Sequence, residues 1–517
     1  MSVNLKKEKI QIGDVICQKY SQTNVECDVI VPDIKPDIKK VLEVSGHISV
    51  KDKSIRQNKA YIQGCVHMTV LYIPDGESVS AVKSLSASQE FNHTVDISNY
   101  EGGILAVEAE AESFGYSLIN SRKIGLRCIT GINVKITQPK ELEFSVGAEG
   151  DNICVDTEKI RLCCSAVNSE NHLSVREQLE LPLGKPSIAE ILKTAVFPQS
   201  MELSLMENKA LASGQVKICT LYTSADDGSV QFAEHIVPFN ETLDFSGAEE
   251  DMEGEIEYSV SDLYCEIRDD SDGEPRLIGV DIGLCATVRG LRICELDIIS
   301  DAYSLDGETE IISETQNTES LIDNTTAQIT HKTPVAIPDS YPDILQVCDI
   351  SCNASVERIS AENDEITVFG KFKCNVLYLS QSDEQPLCAF EDSSDFSYTI
   401  AVSGADRNTI CDTKIFTEHI SYTLNGASGI DLRAVLGLSI RSFKNESFSS
   451  IAEIKINKPE VEVKRPCITI YFVQKGDSLW SIAKNYKTTV AALVDCNNLT
   501  SDLIYPGQQI KICRKSS

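Results

Sequence analysis

Three stretches set the architecture: GCVHMTVLY at 64–72, GQVKICTLY at 214–222 and GKFKCNVLY at 370–378. Each opens on glycine, alternates in polarity and closes on Leu-Tyr. Period-two alternation marks a strand with one face buried and one solvated. In 64–72, Cys65, His67 and Thr69 fall on one side and Val66, Met68 and Val70 on the other. In 370–378, Phe372, Cys374 and Val376 form the inner side, and Lys371 and Lys373 the outer.

Two further blocks keep register with these strands. Upstream of each glycine lies an apolar-Pro-x-x-x-Pro-[Asp/Ser]-Ile motif whose second proline precedes the glycine by 28 residues. The copies are Val31-Pro32…Pro36-Asp37-Ile38, Leu181-Pro182…Pro186-Ser187-Ile188 and Ile337-Pro338…Pro342-Asp343-Ile344. Downstream, 17 to 19 residues past the tyrosine, come FNHTVDI (91–97), FNETLDF (239–245) and FSYTIAV (396–402). The first two motifs repeat at offsets of 150 and then 156 residues. Glu8-Lys9-Ile10 precedes Glu158-Lys159-Ile160 by the same 150, with no clear third counterpart. Each copy ends on another alternating segment, at Ile124–Cys128, Ile278–Leu284 and Ile430–Ala434.

A period held across separate motifs means one structural unit used three times. The expected fold is mainly β: three repeated antiparallel β-sandwich-like domains at 1–145, 150–300 and 327–455. A domain of this size buries about two-thirds of its unfolded surface, enough to fold alone. Pro36–Val44 is expected to be a short helix, since proline suits a first turn and Ile38, Val41 and Leu42 have one-sided spacing. Linkers are expected at 146–157, in the polar stretch 301–326 and at 456–467.

Residues 468–517 form a different module. Residues 466–517 carry a net charge of +3, leaving about −34 for the rest of the chain, and they hold its one tryptophan, Trp480. The pattern predicts a strand (Thr469–Val473), two helices (Ser478–Tyr486, Val490–Asn497) and a strand (Gln509–Cys513). Asp477 is expected to cap the first helix and Thr489 the second. Leu479, Ile482, Ala483 and Tyr486 share one face, and Val490, Leu493 and Val494 are the inward positions of the second helix. Trp480 is expected in the core, and Tyr505 is the exposed ring suited to a sugar face.

Residues 471–512, YFVQKGDSLWSIAKNYKTTVAALVDCNNLTSDLIYPGQQIKI, resemble a LysM domain almost position by position. The resemblance implies a βααβ fold and a shallow groove for N-acetylglucosamine units of peptidoglycan or chitin. The matching groove positions are Gly476, Asp477, Ser478 and Leu479, beside Trp480, with Leu503, Ile504, Tyr505, Pro506 and Gly507. The proline motif, the Gly…Leu-Tyr strand and the terminal LysM together resemble the SPOCS-domain spore-coat proteins of endospore formers, of the SipL-like type. That resemblance implies a mother-cell cytoplasmic protein at the forespore surface, building the coat. It also implies a partner for the LysM domain, a coat-basement ATPase of the stage IV sporulation protein A type, alongside other coat proteins.

Charge and composition limit the alternatives. The net charge is −31, which argues against nucleic acid and against anionic lipid surfaces. The first residues lack the apolar run of a secretory signal, and no stretch approaches the roughly 18 apolar residues of a spanning helix, so cytosolic residence without membrane insertion is expected. The 19 scattered cysteines should then be mostly free thiols.

No catalytic, metal or cofactor site is expected. Gly476-Asp477-Ser478-Leu479 spells an esterase nucleophile block, yet no histidine follows His419 to serve as base. P-loop and H-E-x-x-H patterns are absent, and the seven histidines do not cluster along the chain. Cys163-Cys164 and Cys348…Cys352 are too poor for zinc. The acidic runs Glu249–Glu257 and Asp269–Glu274 lack EF-hand spacing. Two function classes stand: a non-catalytic scaffold recruiting coat proteins, and a peptidoglycan-binding protein acting through the LysM groove.

Overall fold

The computed structural model describes residues 3–76, 82–97, 102–150, 152–382, 385, 387–457 and 468–513. The first repeat runs β1 (Asn4–Ile30), β2 (Ile38–Arg56), β3 (Lys59–Pro74), β4 (Lys83–Asp96), β5 (Ile104–Asn120) and β6 (Lys123–Glu149). The second runs β7 (Ile153–Glu180), β8 (Ile188–Met206), β9 (Lys209–Ser224), β10 (Val230–Asp244), β11 (Glu253–Asp269) and β12 (Pro275–Ser304). The third runs β13 (Glu308–Ala336), β14 (Ile344–Glu362), β15 (Glu365–Ser380), β16 (Leu387–Ala401), β17 (Thr409–Leu424) and β18 (Gly429–Asn457). The head follows as β19 (Ile468–Phe472), α1 (Leu479–Tyr486), α2 (Val490–Asn497) and β20 (Gln509–Cys513).

Each repeat packs one antiparallel sheet on another. In the first, β2-β3-β4 faces β1-β6-β5, with Val66, Met68 and Val70 from one sheet meeting Leu126, Ile132 and Val134 from the other. The motifs that define the repeat sit inside this core. Tyr72, Tyr222 and Tyr378 have buried rings, and their hydroxyls donate to the carbonyls of Pro36, Pro186 and Pro342 at 3.1, 3.1 and 2.7 Å. Gly64, Gly214 and Gly370 pair directly with Phe91, Phe239 and Phe396, whose rings lie over them where a Cβ would stand. The block downstream of each tyrosine is therefore the lid of the strand upstream.

The expected helix at Pro36–Val44 is instead the start of β2, entered through a turn in which the Lys35 amide donates to the Pro32 carbonyl at 2.9 Å. Its helix-like spacing has a strand origin. Register shifts between Ile38 and Lys40 and between Val41 and Glu43 add residues to the strand, so Ile38 and Val41 both face the core. The same pair of shifts recurs in β8 and β14.

Most of the expected linker at 301–326 is also strand. It holds the end of β12 and the first half of β13, which pairs with β18 from Glu308↔Asn457 onward. Polar residues line both its faces because this half lies in a two-stranded ribbon, with little core to cover. Most of 146–157 is likewise strand, in β6 and β7. Most of the linker expected at 456–467 lies outside the described residues.

The three ribbons, β1–β6, β7–β12 and β13–β18, come together at their ends. Ile10 and Ile160, from the element shared by the first two copies, pack there with Leu142, Leu296 and Phe448, which occupy equivalent positions in the three repeats. The Ser145 hydroxyl donates to the Ile451 carbonyl at 2.6 Å across this junction. A second junction lies at the Leu-Tyr ends, where Leu71, Leu221 and Leu377 pack together with Leu192 and Cys348. Beside them three equivalent residues of different charge meet: Glu43, Lys193 and Asp349. Lys193 Nζ lies 2.8 Å from Glu43 Oε1, and both side chains are largely buried. The repeats thus close on one another about a pseudo-threefold axis.

Candidate functional site

The head is a βααβ unit. Ser478, not Asp477, is the N-cap of α1: its hydroxyl accepts from the Ser481 amide while the Ser481 hydroxyl accepts from the Ser478 amide. Asp477 serves the preceding loop instead, where Oδ2 accepts from the Gln474 amide at 2.8 Å and the Tyr471 hydroxyl at 2.7 Å. Those two bonds hold its carboxyl below the usual range. Thr489 caps α2 as expected, accepting from the Ala492 amide at 3.1 Å.

Pairing of β19 with β20 brings the two candidate loops side by side. The Gly507 amide donates to the Val473 carbonyl at 2.7 Å, and the Val473 amide to the Gln508 carbonyl at 2.9 Å. Gly476 and Gly507 take φ of +98° and +86°, which favours glycine at both turns. Leu479 is buried in the head's core and Ile504 packs against it. Leu503 and Tyr505 stand open, at 71% and 68% exposure, beside Pro506. Gly476, Asp477, Ser478 and the 503–507 loop therefore share one end of the head, while Leu479 holds the fold beneath them.

Trp480 lies elsewhere. Its indole Nε1 donates to Asp301 Oδ2 at 2.9 Å, and its ring meets Tyr303 edge-on at 4.8 Å between centroids. Lys484 reaches both oxygens of Asp301, at 2.6 and 2.7 Å, and the Tyr303 hydroxyl donates to the Thr488 carbonyl at 2.7 Å. Burial works to raise the Asp301 pKa, but the bonds from Lys484, Trp480 and the Ala302 amide outweigh it and hold the carboxyl below its ordinary value. Trp480 thus faces the second repeat. No motif or spacing in the sequence singles out Asp301 and Tyr303. Their signal is a departure from the repeat, for Gly147 and Glu149, and Glu453 and Lys455, occupy the equivalent places.

Burial pushes the Cys219 and Cys348 thiols up to about 12 and Cys374 up to about 11, which keeps them protonated. The 18 described cysteines are free thiols. Two histidines scattered in sequence do meet: His47 and His67 are cross-strand partners with rings stacked at 4.8 Å. Among the described residues no group of three or more metal-ligating side chains converges.

Comparison with known proteins agrees with this division. The LysM domain family model matches residues 471–512. The SipL, SPOCS domain model matches residues 37–119, 187–268 and 343–425. N-acetylmuramoyl-L-alanine amidase sle1 of Staphylococcus saprophyticus is 51% identical over 49 residues, 10% of this chain and 15% of that protein. The probable peptidoglycan endopeptidase LytE of Bacillus subtilis is 44% identical over 45 residues, 9% of this chain and 14% of that one. The uncharacterized protein YkzQ of Bacillus subtilis is 54% identical over 43 residues, 8% of this chain and 57% of that protein. The chain thus spans less than two-thirds of each of these relatives, and what it shares with the two wall enzymes is LysM alone. The chain therefore carries three SPOCS domains of the SipL type followed by a C-terminal LysM domain.

Proposed function

We propose that this chain is a non-catalytic scaffold of endospore coat assembly, working in the mother-cell cytoplasm at the forespore surface. Its LysM head docks a coat-basement ATPase of the stage IV sporulation protein A type, and its three SPOCS domains offer separate surfaces to other coat proteins. The observation that carries this reading is the threefold SPOCS match joined to one head with an open apolar end at Leu503 and Tyr505. Several contact surfaces on one chain raise avidity through effective concentration. The one serine that fits an esterase string, Ser478, has its hydroxyl engaged in the capping box.

A second reading, peptidoglycan binding through the same loops, draws on the wall enzymes that share the head. Fluorescent fusions in sporulating cells separate the two. The scaffold reading expects the full chain to encircle the forespore and a chain ending at Asn457 to stay dispersed. Encirclement without the head would contradict the docking role. Sedimentation of the full chain with purified sacculi, lost in Tyr505→Ser, would favour the glycan.

A further inference from the structure

Each long ribbon carries a β-bulge at the same place, at Val146, Ser300 and Ala452. A bulge bends its strand and re-aims the side chains that follow. After it the repeats diverge. The first has Gly147 and Glu149, and the third has Glu453 and Lys455, which pair with each other at 3.4 Å. The second has Asp301 and Tyr303, a carboxylate two residues before an aromatic ring. The head sits on this pair, although in chain order it follows the third repeat.

The contact is specific on both sides. Asp301 accepts from the Trp480 indole and from Lys484, and Tyr303, only 1% exposed, donates to the Thr488 carbonyl. Trp480, Lys484 and Thr488 are spaced four apart, on one face of α1 and its C-terminal turn. Leu479, Ile482 and Ala483 fill the head's core, and Tyr303 of the second repeat is buried in the same cluster, with Trp480 packed against it. Cys154 and Leu305, from the body, border the same cluster.

We propose that the Asp301–Tyr303 end of the second repeat is a docking site for the chain's own LysM head, which fixes the head in one orientation and leaves the Leu503–Gly507 loop open. The head is then a rigid part of the body and not an anchor on a free tether.

Trp480 is the chain's one tryptophan, so its fluorescence in the full chain reads this contact directly. Wild-type emission should resist acrylamide quenching. Asp301→Ala should shift emission to the red and raise quenching several-fold. Tyr303→Phe, which keeps the ring and loses one hydrogen bond, should do so less, and Glu453→Ala should change nothing. Hydrogen exchange should meanwhile show the α2 and β20 amides still protected in Asp301→Ala. Quenching equal in wild type and Asp301→Ala would overturn the proposal. So would loss of α2 and β20 protection in that variant, since Asp301 would then support the head's fold and not its position. Wild-type protection that fell on dilution would also overturn it, because the head would be seated on a second chain.

Discussion

At Gly370 an added Cβ would sit 2.3 Å from the Phe396 ring and 2.3 Å from the Ser355 carbonyl oxygen. At Gly214 the nearest atom, in Phe239, would be 2.9 Å away and the nearest backbone oxygen 3.4 Å. Gly370→Ala should therefore cost about 1–3 kcal/mol, as overpacking does. Gly214→Ala should cost less, and chemical denaturation of the two variants checks the order. His47 gives a pH dependence. Burial, then the stacked His67, lowers its pKa to about 4. A depressed folded pKa means stability that is present above the unfolded value near 6.5 and lost as pH falls through the folded value. Unfolding midpoints should thus drop between pH 6.5 and about 4, and His47→Gln should flatten that drop. These roles were only half readable: the glycine, tyrosine and phenylalanine blocks stood out by repetition, but the hydrogen bond and the ring cover that join them needed the fold.

Secondary-structure elements were read best where one face alone is buried. The alternating strands through 64–72, 214–222 and 370–378 lie where expected, as do both head helices. Two misreadings share one cause, a change in how a strand meets the core. In β2, bulges turn alternation into a three-residue apolar spacing that imitates a helix. In β13, a ribbon leaves both faces wet, so strand and linker look alike. The misplaced cap on α1 is a local choice between adjacent residues, and its outcome is testable. Ser478→Ala should remove about 1 kcal/mol from the head. Hydrogen exchange should show the loss in α1 amides, with β12 amides unchanged.

Assembly of the repeats was the least readable level, because equivalent positions serve unequal contacts. Glu43, Lys193 and Asp349 align in sequence but differ in charge, and only their meeting near the axis explains the difference. Lys193→Ala should cost about 3 kcal/mol, since it leaves the buried Glu43 without its cation. Asp349 is the opposite case. Burial raises its pKa, against the pull of Lys193, so its contribution is favourable below the ordinary carboxylate range and lost as pH rises through the raised value. Asp349→Asn should therefore stabilise the chain at neutral pH, with the gain vanishing in acid, as thermal unfolding across pH will show. The side-by-side placement of the two head loops was legible in the sequence, but the seating of Trp480 on Asp301 and Tyr303 was not, since those partners lie in the second repeat.

The most direct test of the scaffold reading is a titration of the full chain against the purified coat-basement ATPase, repeated with excess soluble peptidoglycan fragments. Saturable binding is expected that the fragments do not displace and that Tyr505→Ser weakens. Absence of ATPase binding, with the chain instead retained by the glycan, would contradict that reading.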